Sequence, residues 1–139
     1  MYTSSPIYNN KNFFIRKNST LPVLKYLLTQ RIREKYDITD DMLENVAITF
    51  SMIQVKNSIY KIANVPANLV INRQRPEFPD EVEYTLTYNF KIKDTNMAGL
   101  FRGEFVLDFL GDNCGKIKMP VSGDLNIWIN DSITMTEVV

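Results

Sequence analysis

The side chains equipped for chemistry are few in this chain, and their spacing does not suit most of it. There is no histidine among the 139 residues, which removes the side chain most often used as general base, nucleophile activator and transition-metal ligand. Serine–histidine and cysteine–histidine hydrolysis are excluded, and so are the usual zinc sites, because one cysteine plus carboxylates is a poor ligand set. That cysteine, Cys114, sits between Asn113 and Gly115 with no basic neighbour closer than Lys116 to lower its pKa, and it has no partner for an internal disulfide. Carboxylates remain. Asp108, Asp112, Asp124 and Asp131 fall near the ends of expected strands, where they could gather at one pole around a calcium ion. They lack the ordered spacing of a calcium loop, so turn capping is the expected role and no metal is assigned. Glu104 and Asp108 would share one strand face about 13 Å apart by strand rise, wider than the ~5–10 Å of a glycosidase pair. No catalytic residue and no cofactor is assigned, and the expectation is a protein that is not an enzyme.

Trp128 lies between Ile127 and Ile129, so on a strand it faces away from both. It reads as an interface anchor or a core residue ahead of a glycan platform.

The strands that would carry these residues show as two-residue alternation. Over 82–92, Val82, Tyr84, Leu86, Tyr88, Phe90 and Ile92 alternate with polar residues. Over 46–53, Val46, Ile48, Phe50 and Met52 form one face and Ala47, Thr49, Ser51 and Ile53 the other, nearly apolar on both sides as in a central strand. Over 101–109, Phe101, Gly103, Phe105, Leu107 and Phe109 point inward, with Arg102, Glu104 and Asp108 outward. Shorter candidates are 12–16, 59–63, 67–72, 116–120, 125–129 and 133–138. Turn-forming clusters such as Asn57-Ser58, Arg75-Pro76, Phe78-Pro79-Asp80, Asp94-Thr95-Asn96 and Ser122-Gly123-Asp124 separate them. Gly111 to Gly115 reads as a hairpin loop. Strands recurring every ~10 residues imply an all-β sandwich or barrel. Residues 23–44 fit two periods; an extended strand to about Gln30 is expected, followed by a short helix near 40–45 capped by Thr39.

Charge divides the chain. Residues 1–36 carry seven basic side chains and one acid, 7 − 1 = +6, whereas residues 37–139 carry nine basic and fifteen acidic, 9 − 15 = −6. Without a run of four basic residues, and with an acidic body, nucleic acid is an unlikely partner; opposite charge at the two ends suits a head-to-tail contact between copies. No apolar run approaches the ~18 residues of a bilayer crossing, and Met1 to Pro6 has no basic-then-apolar leader pattern. The chain is expected to be soluble, unexported and without a membrane partner. Residues 1–22, rich in Asn, Ser, Thr and Pro, read as an extended N-terminal arm before a sandwich over 23–139. Phe13-Phe14-Ile15 at its middle suits addition to a sheet edge.

Several runs taken in order resemble a known family. Asn45 to Met52, Ile59 to Asn64, Tyr84 to Phe90, and Lys93-Asp94-Thr95 followed by Gly99-Leu100-Phe101-Arg102-Gly103-Glu104-Phe105 resemble small immunoglobulin-like β-sandwich domains of tailed-phage virion proteins. The similar pattern in baseplate upper proteins is a strand ending in an aromatic, an Asp-Thr turn, a glycine, then aromatic-x-small-x-Phe; here Phe101 stands where Tyr is more usual. The likeness spans roughly residues 45–129. In physical terms Asp94 can accept backbone N–H bonds in a turn, Gly99 can take a positive φ, and Gly103 leaves room for a neighbouring aromatic.

The resemblance implies an immunoglobulin-like antiparallel β-sandwich with an extended N-terminal arm, acting as a non-enzymatic structural subunit of a tailed-phage virion at the neck, tail, baseplate or capsid exterior. Its partners would be copies of itself and other virion proteins, and its place the virion after synthesis in the host cytoplasm. Lys11, Phe13, Phe14, Ile15, Arg16 and Lys17 are the expected arm contacts, with Thr136-Glu137-Val138-Val139 bridging at the other end. Deleting residues 1–18 is then expected to abolish assembly and leave the sandwich folded. A carbohydrate-binding or receptor-binding sandwich using Trp128 is the alternative, and a carboxylate-only hydrolase the weakest of the three.

Overall fold

The computed structural model describes residues 10–73, 82–111 and 114–131. Nine strands account for most of them: β1 Asn12–Arg16, β2 Leu24–Leu28, β3 Val46–Gln54, β4 Tyr60–Pro66, β5 Asn68–Asn72, β6 Glu83–Tyr88, β7 Gly99–Phe109, β8 Gly115–Met119 and β9 Leu125–Asn130. They form two sheets, one ordered β1-β9-β7-β3-β4 with β8 also on β7, the other β2-β6-β5. The fold is an all-β sandwich. The two-layer packing follows from the alternation: every second residue must be hidden, and two facing sheets hide their inward sets against each other.

β7 is the central element. Phe101, Gly103, Phe105, Leu107 and Phe109 are buried along its inner side. β3 pairs with it from Phe101 to Phe109, while the other edge is shared: β9 takes residues 99–103 and β8 takes 105–109. β8 and β9 thus lie end to end, a single return strand interrupted at residues 120–124. Between the sheets Phe50 packs on Tyr88 at 4.7 Å and on Phe105 at 4.9 Å between ring centroids. A Cβ on Gly103 would come within 2.7 Å of Ile127 Cδ1 and 2.9 Å of Phe50 Cε1, so only glycine lets that ring sit there.

Four readings of the sequence need amendment. First, the strand expected to continue from β2 to Gln30 gives way at Thr29, whose Oγ1 accepts the Ile32 N–H and caps a helix α1, Gln30–Lys35. A second short helix, α2 Asp40–Leu43, starts from Thr39. Second, the alternation over 82–92 ends at Tyr88: Ile92–Asp94 is a 3-10 turn and Ile92 is 59% exposed. The turn forms because Asp94 Oδ2 draws in the Lys91 N–H at 2.9 Å and the Tyr88 hydroxyl at 2.8 Å. Third, the arm expected over residues 1–22 is, from residue 10 onward, part of the chain's own sandwich. β1 pairs in parallel with β9, Ile15 is 3% exposed in the core, and Phe13 stacks on Phe90 at 5.7 Å. The loop that follows is tied down where Asn18 N–H donates to the Thr95 carbonyl and Thr95 Oγ1 donates to the Ser19 carbonyl. Fourth, the carboxylates do not converge. Asp108 is near the end of β7, Asp124 precedes β9 beside the middle of β7, and Asp131 follows β9 beside the start of β7. Asp112, the strand expected at 133–138 and the terminal Thr136-Glu137-Val138-Val139 lie outside the described residues.

Candidate functional site: the outer face of the larger sheet

The face of the larger sheet that turns away from the core carries three exposed aromatic residues, Phe14, Trp128 and Tyr60. Phe14 on β1 stands opposite Trp128 on β9, and Trp128 opposite Leu100 on β7; Val55 continues the row by donating its N–H to the Leu100 carbonyl at 3.1 Å. The Phe14 and Trp128 rings stack at 6.4 Å with 14° between their planes, 58% and 36% exposed. Trp128 Nε1 donates to Asn12 Oδ1 at 3.1 Å, which fixes the indole's orientation. The next row runs Asn12, Asn126, Arg102, Ile53 and Tyr60 across all five strands, with Tyr60 62% exposed at the far edge. One step further along β7, Glu104 stands opposite Ser51.

A depression of about 210 Å³ lies in this face, lined by Ser51, Ile53, Tyr60, Arg102, Gly103, Glu104, Pro120, Gly123, Asp124 and Leu125. It exists because the return strand breaks at residues 120–124, leaving β7 without a neighbour between β8 and β9. Arg102 Nε lies 3.7 Å from Asp124 Oδ2, with both side chains half exposed, so this pair contributes little stability. The face offers exposed aromatic surface, a few hydrogen-bonding amides and charges of both signs, Arg102 and Lys118 with Glu104 and Asp124, which is the chemistry of a contact surface.

The residues singled out from the sequence are distributed as follows. Phe14 and Trp128 meet on this face. Phe13 and Ile15 face the core from the same strand. Arg16 donates from Nη1 to the carbonyl of Asp131, and the backbone of Lys17 donates to Asn130. The Lys11 carbonyl accepts from the Asn126 N–H, tying the entry to β1 onto β9. Asp94 and Gly103 are inside the sandwich, Asp94 4% exposed; Gly99, at φ 146°, opens β7. Sequence reasoning misses Leu100, Val55, Ile53 and Tyr60 as members of a surface. Leu100 and Val106 carry the available signal: they are apolar at the outward positions of β7.

A larger cleft of about 790 Å³ lies beside α1 and α2, lined by Arg33, Glu34, Asp37, Asp40 and Glu83 among others. Its one basic side chain among these, Arg33, serves the fold. The Arg33 guanidinium donates to the Leu28 carbonyl and lies 4.8 Å from the Tyr84 ring centroid. Tyr84 has its pKa raised, first by burial and then by the nearby Asp40 carboxylate, while its hydroxyl closes no hydrogen bond among the described residues. Among the described residues no three Cys, Asp or Glu side chains are grouped so as to hold a metal ion, and no helix is long and apolar enough to cross a membrane.

No protein-family model, curated protein or solved structure matches this chain.

Proposed function

We propose that this chain is a non-enzymatic structural subunit of a tailed-phage virion, an immunoglobulin-like sandwich that works by surface contact. The observation that carries the contact reading is the outer face of the larger sheet, where Phe14, Trp128 and Tyr60 hold exposed aromatic surface on rigid strands. Exposed aromatic residues beside charges of both signs suit a protein interface. The strand order supports the immunoglobulin-like part. β2-β6-β5 corresponds to the B-E-D strands and β4-β3-β7-β9 to C′-C-F-G, with β1 added in parallel beside the last. The phage assignment rests on the resemblance of residues 45–129 to virion domains.

Mass spectrometry of purified phage particles tests it: the chain should be present at a copy number matching a symmetric virion component. Particles without the chain would overturn the phage assignment, and unchanged assembly of a Phe14→Ser, Trp128→Ser variant would overturn the contact reading.

The depression beside Tyr60 favours a second reading, a carbohydrate-binding or receptor-binding module. An aromatic wall next to Arg102, Glu104 and Asp124 is suited to a sugar ring and its hydroxyls. Glycan binding that Tyr60→Ala and Trp128→Ala both abolish would favour it.

A further inference from the structure

We infer that the outer face of the larger sheet pairs with the same face of a second copy, about a two-fold axis that crosses β7 at Gly103 and sets Arg102 of each copy against Glu104 of the other. This rests on the surface-contact reading above and names its partner. Arg102 and Glu104 lie on the outward side of β7, one on each side of Gly103, about 7 Å apart by strand rise. A single positive and a single negative charge placed evenly about one point form a pattern that a two-fold axis matches to itself: each pairing is made twice.

The same axis matches other residues. Leu100 and Val106, each three residues from Gly103 and both half-buried, would meet. Trp128, level with Leu100, would lie over Lys118, which is level with Val106, placing a cation on an indole ring. On β3, where Met52 is level with Gly103, Val55 would meet Thr49; Ser51, level with Glu104, is buried with its hydroxyl held by Asn64 and takes no part. The size also fits. The strands of this sheet, 43 residues at ~3.3 Å along and ~4.8 Å across each, cover about 700 Å², within the range per partner of a standard stable interface. The Arg102 pair with Asp124 is half exposed and does not withhold the guanidinium.

The test is a charge swap in the full chain, read as mass by sedimentation equilibrium. Wild type should show twice 16.1 kDa. Arg102→Glu alone and Glu104→Arg alone each place like charges opposite one another at both crossings, so each should weaken dimerisation at least ~10-fold. An equimolar mixture of the two variants restores opposite charges at every crossing and should regain the dimer. A wild type of single mass up to roughly 100 μM, a dissociation constant too weak for a standard interface, would overturn the pairing. So would reversal variants that dimerise like wild type, or a mixture that does not recover. If wild type shows a single mass while phage assembly still fails in the Phe14→Ser, Trp128→Ser variant, the partner is a different chain: the contact reading then stands and this pairing falls. Should a reversal variant lose its β circular dichroism, Arg102→Gln and Glu104→Gln replace it. Each should weaken the dimer severalfold, and unchanged dimerisation in both would overturn the inference.

Discussion

The Tyr88 hydroxyl donates to Asp94 Oδ2 at 2.8 Å in the interior, and the same oxygen accepts the Lys91 N–H at 2.9 Å. One carboxylate oxygen therefore anchors both the end of β6 and the turn that leads to β7. Tyr88→Phe removes one donor from a buried acceptor and should cost about 1–3 kcal/mol; Asp94→Ala strands two donors and should cost more. Urea denaturation of the two variants against wild type measures both.

The pH dependence follows from the same pair. Burial, and then Asp94, raise the Tyr88 pKa; burial also leads the upward shifts of Tyr84 and Tyr26. A phenol is neutral when protonated, so a raised folded-state pKa favours the folded state while the unfolded chain still holds its protons, up to about pH 10. That stabilisation is complete below pH ~10 and is lost as pH climbs from there through the folded-state values. Unfolding free energies from pH 8 to 11 should fall above pH ~10, and less steeply in Tyr88→Phe.

Neighbouring residues of β1 should behave oppositely. Ile15 is 3% exposed and Phe14 58% exposed. Ile15→Ala leaves a cavity and should cost about 2–5 kcal/mol, whereas Phe14→Ser should change stability by less than ~1 kcal/mol and act on association instead. Deleting residues 1–18 removes β1 entirely, so the truncated chain should melt well below the full one by calorimetry. A truncated chain with an unchanged melting temperature would show that β1 adds nothing to the core.

Gly103→Ala forces a methyl against Phe50 and Ile127. Overpacking of this kind costs about 1–3 kcal/mol. Shortening a neighbour, as in Gly103→Ala with Ile127→Val, should recover part of the loss in the same denaturation assay.

Among the described residues, the outer edge of β2 is met at Leu27 by the side chain of Asn10. Asn10 donates from Nδ2 to the Leu27 carbonyl at 2.9 Å and accepts the Leu27 N–H on Oδ1 at 3.0 Å, as a neighbouring strand would. Asn10→Ala should expose that edge and promote concentration-dependent association, visible as rising light scattering at constant secondary structure. Asn10→Asp, which keeps the acceptor and loses the donor, should fall between the two.

The strands were readable in the sequence to the extent that burial is one-sided. β7 buries five alternate residues and leaves those between them half-buried or exposed, so its period is unambiguous. Leu24, Leu28 and Ile32 fit both the strand and the helix period, and only the Thr29 cap decides where β2 stops and α1 begins. The Asp-Thr turn marked a break near residue 94, but the alternation through Ile92 concealed that the strand had already ended at Tyr88. The outer face was least legible. Residues 14, 128, 100, 53 and 60 become neighbours only through strand order, and nothing local in the chain pairs the first strand with the last.

The parallel pairing of β1 with β9 has a mechanical consequence. Asn12 lies beside Asn126 and Arg16 beside Asn130, so β1 starts at the pole where β9 starts, and both end at the other. Tension applied through residues 11 and 131 would slide these two strands past each other, loading their ladder bonds together in shear instead of unzipping them one at a time. Rupture under force would then need the whole ladder to fail at once, giving this domain a slow forced-unfolding rate along that axis.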